Sequence, residues 1–306
     1  MLIVFLVLDS TSPEAVDTDF TKIKLKEDST MSVKILSDQW DIHISCIGVL
    51  PNAILLVGDQ FHKTLKAVDV KTKRVLSTIQ LSAAAMQICP LPNNQVAVSV
   101  DNNIVIITWT DNQLGIERNI TMEANCFGLA FFEENFVVGT ITGKVLLTDT
   151  NGQILSYTTN DGNHMFKNPD SICVITTDVT LRVYVSDSFT NIITMLSKDL
   201  KVMQTFKYPW QYGPYDIVAV SKSQILVKGS RPDREWSCIQ VFDTNTSEFT
   251  ELGNTDMNTP RVTDFTHLAY CPCLGNVYSV YQADTYDQFI HIFTVHRKGQ
   301  EDIAYT

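Results

Sequence analysis

Short apolar runs, each bounded by polar turn residues, recur along the whole chain. Residues 124–159 carry the clearest set, with runs at 126–132, 136–140, 144–148 and 153–158. These runs are rich in β-branched and aromatic residues, and Glu, Asn, Asp and Gly separate them, which is typical of strands joined by tight turns. No run is long enough for an ordinary α-helix. The pattern predicts four consecutive β-strands.

The four-strand layout returns about every forty residues. The Leu-Pro-Asn triplet at 50–52 is repeated at 91–93, and each triplet precedes a short apolar run. Asp69, Asp149 and Asp243 each end a third strand and begin a polar turn, where an Asp side chain can accept a backbone hydrogen bond. A period of this length is expected of propeller blades. The chain is therefore predicted to be all-β, a six-bladed β-propeller of four-stranded antiparallel blades.

The ends of the chain are predicted to complete one blade together. Two strand candidates, 22–26 and 33–36, precede the first full blade, whereas the sixth blade lacks a fourth strand after 293–295. Pairing an N-terminal strand with the last blade would close the ring and remove exposed sheet edges. We expect this closure in a propeller spanning 20–297. A weakly structured segment or edge strand is expected at 1–19 and a tail at 298–306.

Net charge limits the partners that the chain can bind. With 34 acidic and 23 basic residues the formal charge is −11, and an acidic surface repels nucleic-acid phosphates. A protein or peptide partner is expected, without general nucleic-acid binding. The apolar run at 1–8 lacks a basic leader and is far shorter than the roughly 20 residues that span a bilayer. It is interpreted as a buried strand or as the remnant of a targeting segment, with no membrane association and a cytoplasmic location.

The seven cysteines predict packing more than chemistry. Cys46, Cys126 and Cys173 fall in the first strand of their blades, where a small apolar residue is wanted, and cysteine is among the most buried residue types. Cys271-Pro272-Cys273 places two thiols close together. Because a zinc site normally needs four ligands in recognisable spacings, this pair is interpreted as structural. We expect no cofactor.

The common catalytic motifs are absent, since the sequence contains no GxSxG, HExxH, GxGxxG or GxxxxGK. The chain is expected not to be an enzyme. The alternative is a Ca²⁺-dependent hydrolase of the lactonase or gluconolactonase type, with the metal at the mouth of the central channel. Asn125, Asp170 and Asp216 open three first strands, and carboxylate and amide oxygens suit Ca²⁺. His43 and Ser45, however, stand at the matching start of the first blade, which offers no acidic ligand.

Long loops on one face of the propeller supply the candidate binding surface. The connections between blades lie on the same face as the loops between second and third strands, and long loops on a rigid scaffold often carry function. Aromatic residues and Arg dominate interface hot spots. The alternative for each aromatic residue is simple packing over a blade edge. The predicted partner-binding residues are Phe61, Phe189, Tyr208, Trp210, Tyr212, Arg231, Arg234, Trp236 and Tyr286.

The repeats resemble those of a known family. Residues 50–69, 126–140 and 169–187 are similar to the C-terminal propeller of invertebrate tripartite-motif-like proteins, which is related to NHL-repeat and WD-repeat-like propellers. The resemblance covers about residues 20–297. It implies a six-bladed propeller that recruits a substrate or partner in a ubiquitin-ligase type system. No CxxC pair or Cys/His zinc spacing precedes the propeller, and the Asn-His-Leu triplet is absent, so the RING chemistry is expected to lie outside this chain.

Overall fold

The computed structural model describes residues 18–50, 53–158, 166–177, 179–230, 237–252, 267–282 and 288–297. Within these ranges the chain folds as twenty-four β-strands preceded by one short 3-10 helix at Phe20–Lys22. The described part of the chain contains no helix long and apolar enough to cross a bilayer. The strands form six four-stranded antiparallel sheets, which confirms the predicted six-bladed propeller.

The strands follow one another blade by blade. Strand β1 (Ile23–Met31) precedes blade 1, which contains β2 (Ile44–Leu50), β3 (Ile54–Asp59), β4 (Thr64–Asp69) and β5 (Arg74–Gln80). Blade 2 contains β6 (Ala85–Leu91), β7 (Gln95–Val100), β8 (Asn103–Thr110) and β9 (Gln113–Thr121). Blade 3 contains β10 (Cys126–Phe132), β11 (Asn135–Thr140), β12 (Val145–Asp149) and β13 (Ile154–Tyr157).

The second half of the ring repeats this order. Blade 4 contains β14 (Pro169–Thr176), β15 (Leu181–Asp187), β16 (Ile192–Ser197) and β17 (Val202–Lys207). Blade 5 contains β18 (Tyr212–Ala219), β19 (Gln224–Ser230), β20 (Ser237–Asp243) and β21 (Glu248–Glu251). Blade 6 contains β22 (Leu268–Cys271), β23 (Asn276–Gln282) and β24 (Gln288–Arg297), and β1 is its fourth strand.

The core is a series of apolar layers between neighbouring blades. Strand β3 is buried along its whole length, because both faces of its sheet are covered, whereas the outer strand β5 alternates between exposed and half-buried residues. Leu56 and Leu65 of blade 1 pack in one layer with Val98 of blade 2, and similar clusters occur around the ring. Burial on both faces explains why the inner strands are nearly continuous apolar runs in the sequence.

The predicted closure of the ring by an N-terminal strand is confirmed. Strand β1 pairs antiparallel with β24, from Ile23 opposite Arg297 to Met31 opposite Ile290. The second strand candidate, 33–36, was wrong, because these residues belong to the connection 32–43 between β1 and β2. Asp38 forms a turn there: its Oδ2 accepts from the Ile35 N–H at 2.7 Å, and its own N–H donates to the Ile35 carbonyl at 3.0 Å.

Phe20 fastens the closing strand between the last two blades. Its buried side chain packs in one cluster with Leu226 of blade 5 and Leu268 of blade 6. The ring meets Tyr270 edge-on, with centroids 5.3 Å apart. The Phe20 N–H also donates to Gln224 Oε1 at 2.8 Å. Two blades therefore hold the residue that leads into β1.

We expect Phe20→Ala to lower the free energy of unfolding by about 3–5 kcal/mol, because it empties a large buried site in the closure. Lys24→Ala is the matched control, since Lys24 lies on β1 and is exposed, and it should change stability by less than about 0.5 kcal/mol. Urea unfolding of both variants measures the difference. Equal midpoints for Phe20→Ala and the unchanged protein would contradict this account of the closure.

Candidate functional site at the channel mouth

Irregularities at the start of the innermost strands shape the central channel. Among the described strands, five of the six first strands shift register near their beginning. A bulge bends the strand and redirects the side chains beside it. At each shift, one or more residues have no paired residue on the second strand. These unpaired positions include Ser45, Met86, Gln87, Phe127, Asp170 and Tyr215. All six of these residues line one cavity.

The cavity has a volume of about 620 Å³ and is lined by residues of all six blades. One end lies at Gln60, Asn168 and Ser188, and the walls continue along the first strands to Val49 and Pro90. We call the propeller face at the first of these ends the mouth face. It carries the loops between second and third strands and the connections between blades. The volume falls within the range of about 300–1,000 Å³ usual for ligand pockets.

Gln87 of blade 2 reaches two other blades. Its Oε1 accepts from the Leu129 N–H of blade 3 at 2.6 Å and from the Ile172 N–H of blade 4 at 3.2 Å. Its Nε2 donates to the Ser171 hydroxyl at 3.0 Å and to the Ile172 carbonyl at 3.2 Å. The side-chain amide thereby satisfies backbone groups of first strands, each of which is an edge strand of its sheet.

Asp216 continues this network through blades 4, 5 and 6. Its Oδ1 accepts from the Ser171 hydroxyl at 2.6 Å and from the Ile217 N–H at 2.9 Å, while its Oδ2 accepts from the Leu268 N–H at 2.7 Å. Burial raises the pKa of Asp216 to about 6, although these hydrogen bonds act in the opposite direction. The chain Gln87–Ser171–Asp216 thus connects five of the six blades around the channel.

Asp170 is the second carboxyl group on the cavity wall, and its bonds stay within blade 4. Its Oδ2 accepts from the Ser188 N–H at 2.8 Å, and Asn168 Nδ2 donates to Oδ1. Burial raises the pKa of Asp170 to about 7, and the nearby Asp187 acts in the same direction. The group therefore changes its protonation near neutral pH, inside the cavity.

The neighbouring imidazole of His267 is held neutral. Burial lowers the pKa of His267 to about 3, and Lys228 and His43 act in the same direction. Although His267 Nδ1 lies 3.8 Å from Asp216 Oδ2, the neutral imidazole makes no ion pair with it. Two buried wall atoms, Ser45 Oγ and His267 Nε2, have no hydrogen-bond partner among the described residues.

The three residues of the calcium alternative do not converge. Asp170 and Asp216 line the cavity, whereas Asn125 is exposed and does not line it. Both Asp216 oxygens already accept hydrogen bonds from protein donors. A Ca²⁺ ion at this carboxylate would have to compete with bonds that join three blades. The geometry therefore gives the hydrolase alternative little support.

Three of the predicted partner-binding residues lie exposed on the mouth face. Phe61 is 54% exposed in the β3–β4 loop, Phe189 is 77% exposed in the β15–β16 loop, and Tyr212 is 50% exposed at the start of β18. Trp210 is half-buried against the core between blades 4 and 5. Arg231, Arg234, Trp236 and Tyr286 lie outside the described residues.

Tyr208 is a core residue, which corrects its prediction as a contact for a partner. It is 1% exposed, and its ring meets Trp210 edge-on with centroids 5.7 Å apart. Gly229 on the neighbouring blade makes the room, since a Cβ at that position would lie 2.1 Å from the Tyr208 hydroxyl. The space for the Tyr208 ring comes from Gly229, which is distant in sequence. The loop sequence alone therefore suggested an exposed aromatic residue.

Trp40 is an exposed aromatic residue on the mouth face that the sequence interpretation missed. It is 65% exposed and lies in the connection 32–43, and its backbone N–H donates to His62 Nε2 at 3.2 Å. Acceptance at Nε2 places the ring proton of His62 on Nδ1, which lies 2.7 Å from Asp59 Oδ2. The signal that could have identified Trp40 is a tryptophan within the polar segment 37–41 between two strands.

Buried Lys66 anchors the connection that carries Trp40. Its Nζ lies 2.7 Å from Asp38 Oδ2 and 3.2 Å from Asp59 Oδ2, and it donates to the Val33 carbonyl at 3.2 Å. Asp38, Asp59 and His62 form the one group of potential metal ligands that converges within the described part of the chain. Because the Lys66 ammonium already lies against both carboxylates, we interpret the group as an ion-pair cluster.

Comparisons with known proteins agree on the architecture alone. No protein-family model and no curated protein matches the chain. Among the solved structures that match is one described as a protein of unknown function from Bacteroides caccae. It shares 14% identity with a TM-score of 0.56, over 75% of this chain and 83% of that chain. A likeness at this identity supports the propeller fold and carries no function.

We expect Asp170→Asn to flatten the dependence of stability on pH. Because the folded-state pKa is raised from 3.8 to about 7, the folded protein binds more protons than the unfolded chain between these values, and stability falls as pH rises through this window. The variant should lose this decline, most clearly between about pH 6 and 7, where Asp216 contributes little. Above pH 7 it should be more stable than the unchanged protein by about 1 kcal/mol or more.

Urea unfolding from pH 4 to 8 measures both effects. Asp199→Asn is the control, because Asp199 is exposed in the β16–β17 turn and its substitution should leave the pH profile unchanged. An Asp170→Asn profile parallel to that of the unchanged protein would show that Asp170 is not the group that titrates.

Proposed function

We propose that the chain is a non-catalytic recognition module that binds a protein or peptide on its mouth face. The observation that carries the proposal is the placement of four exposed aromatic side chains, Trp40, Phe61, Phe189 and Tyr212, on the face where the cavity begins. Exposed aromatic residues around a concave site are the usual energetic centre of an interface. A six-bladed propeller is consistent with a protein-interaction module.

The cavity suits an inserted side chain of the partner. Its mouth offers the carboxyl group of Asp170 and the amides of Gln60 and Asn168, while Phe127 and Met86 supply apolar wall. The net charge of −11 favours a partner with a basic surface, because charge complementarity speeds association. We therefore propose that a lysine or arginine side chain enters the mouth, where contact with its charge would lower the pKa of Asp170.

The partner-recruiting part of a ubiquitin-ligase type system is the context that we propose for this module. The support is the resemblance of residues 20–297 to the propellers of tripartite-motif-like proteins, in which separate zinc modules supply the ligase chemistry. A cytoplasmic location fits this proposal, since all seven cysteines are free thiols, as is usual in a reducing compartment.

Peptide display against the purified chain, followed by affinity measurement, tests the proposed surface. We expect Phe61→Ala and Phe189→Ala each to weaken binding of a selected basic peptide by about tenfold or more, which corresponds to about 1.4 kcal/mol. Met203→Ala is the matched control, because Met203 is similarly exposed in blade 4 but lies at the start of β17, on the opposite face.

The control should bind as the unchanged protein does. If the peptide affinity is unchanged in both Phe variants and falls in Met203→Ala, the binding surface lies on the face opposite the mouth. This result would contradict the proposal.

A further inference from the structure

Two thiols lie side by side in the turn that joins β22 to β23. Cys271 Sγ and Cys273 Sγ are 3.1 Å apart. Cys271 is buried, whereas Cys273 is exposed, and the other five cysteines are all buried. The turn lies between a first and a second strand, so it is on the face opposite the mouth. This pair takes no part in the proposed recognition surface.

The spacing of the two residues allows a disulfide bond. Successive Cα atoms are about 3.8 Å apart, so residues two positions apart lie within the Cα separation of about 4.4–6.8 Å that disulfides use in an ordinary turn. The two sulfur atoms need to approach by only about 1 Å to reach bonding distance. The backbone already turns here, since the Leu274 N–H donates to the Cys271 carbonyl at 3.3 Å and Gly275 has φ of 63°.

We propose that Cys271 and Cys273 form a reversible thiol–disulfide site that reacts with small-molecule disulfides such as oxidised glutathione. The Cys273 thiolate attacks one sulfur of the small disulfide, which forms a mixed disulfide and releases one thiol. Cys271 then loses its proton, its thiolate attacks the Cys273 sulfur, and the second small thiol is released. The protein loses two hydrogens and two electrons, and the small disulfide is reduced to two thiols.

Exposure decides the order of the two steps. Only the thiolate form of cysteine attacks a disulfide, and the attacking sulfur must be accessible. Cys273 meets the solvent, whereas burial and the neighbouring Cys273 raise the pKa of Cys271 to about 12. Cys271 is therefore the resolving thiol: it must lose its proton before it attacks, and its sulfur already lies beside the Cys273 sulfur that it attacks.

An exposed thiol also has no packing role that would explain it. Cysteine in a first strand is explained by burial at Cys46, Cys126 and Cys173, each of which is enclosed by its neighbouring blade. Cys273 is exposed, so burial does not explain a cysteine at this position. Its distinguishing feature is the sulfur of Cys271 beside it.

Peptide mapping of the full, reduced chain after incubation with oxidised glutathione tests the proposal. Alkylation of free thiols in denaturant is followed by mass spectrometry of the peptide that contains both residues. We expect this peptide to lose two hydrogens, to carry no alkyl group and to regain both thiols on treatment with dithiothreitol. A stable glutathione adduct on Cys273, with Cys271 still alkylated, would overturn the proposal.

Two variants separate the roles of the thiols. Cys271→Ser should stop at the glutathione adduct on Cys273, because no second thiol can resolve it. Cys273→Ser removes the exposed thiol only, so it should fold normally and leave Cys271 as an unmodified thiol under the same treatment. Oxidation of Cys271 in Cys273→Ser, or a disulfide between two copies of the unchanged chain, would contradict the proposed pair.

Discussion

Pairing of β1 with β24 is the constraint on which the rest of the molecule depends. Each apolar layer is shared by two blades, so every blade needs a neighbour on both sides. The last layer forms only when residues from the two ends of the described chain meet in blade 6. Phe20 and Gln224 extend this contact to blade 5. The closed ring then holds the six first strands at fixed distances around the channel.

The fixed spacing of the first strands determines which polar groups meet at the channel mouth. The first strands are edge strands of their sheets, and the side chains of Gln87 and Asp216 accept hydrogen bonds from their backbone groups across blades. The hydrogen bonds of these two residues therefore join blades of the ring. Asp170 bonds only within blade 4, so its carboxyl group can change protonation without separating blades. The same mouth therefore combines a rigid polar frame with one titrating acid, surrounded by exposed aromatic side chains.

The sequence predicts the features that depend on local pattern. Strand β10 has its predicted bounds, and the closure follows from counting strands in the last blade. Features that depend on distant residues were missed. The run 33–36 looks like a strand, but the Asp38 carboxylate and buried Lys66 hold it as a connection. Tyr208 looks like a loop aromatic, but Gly229 opens a core site for its ring. No sequence pattern identified Gln87 as a channel residue. Its position results from the bulge in β6, which depends on how β6 pairs with β7.

Hydrogen–deuterium exchange, with and without a basic peptide selected by display, shows directly whether the mouth face is the binding surface. Amides in a bound surface exchange more slowly because opening requires release of the ligand. We expect slower exchange in the loops at 59–64 and 187–192, which contain Phe61 and Phe189 on the mouth face. Slower exchange confined to the turns at 91–95 and 197–202, on the opposite face, would contradict it.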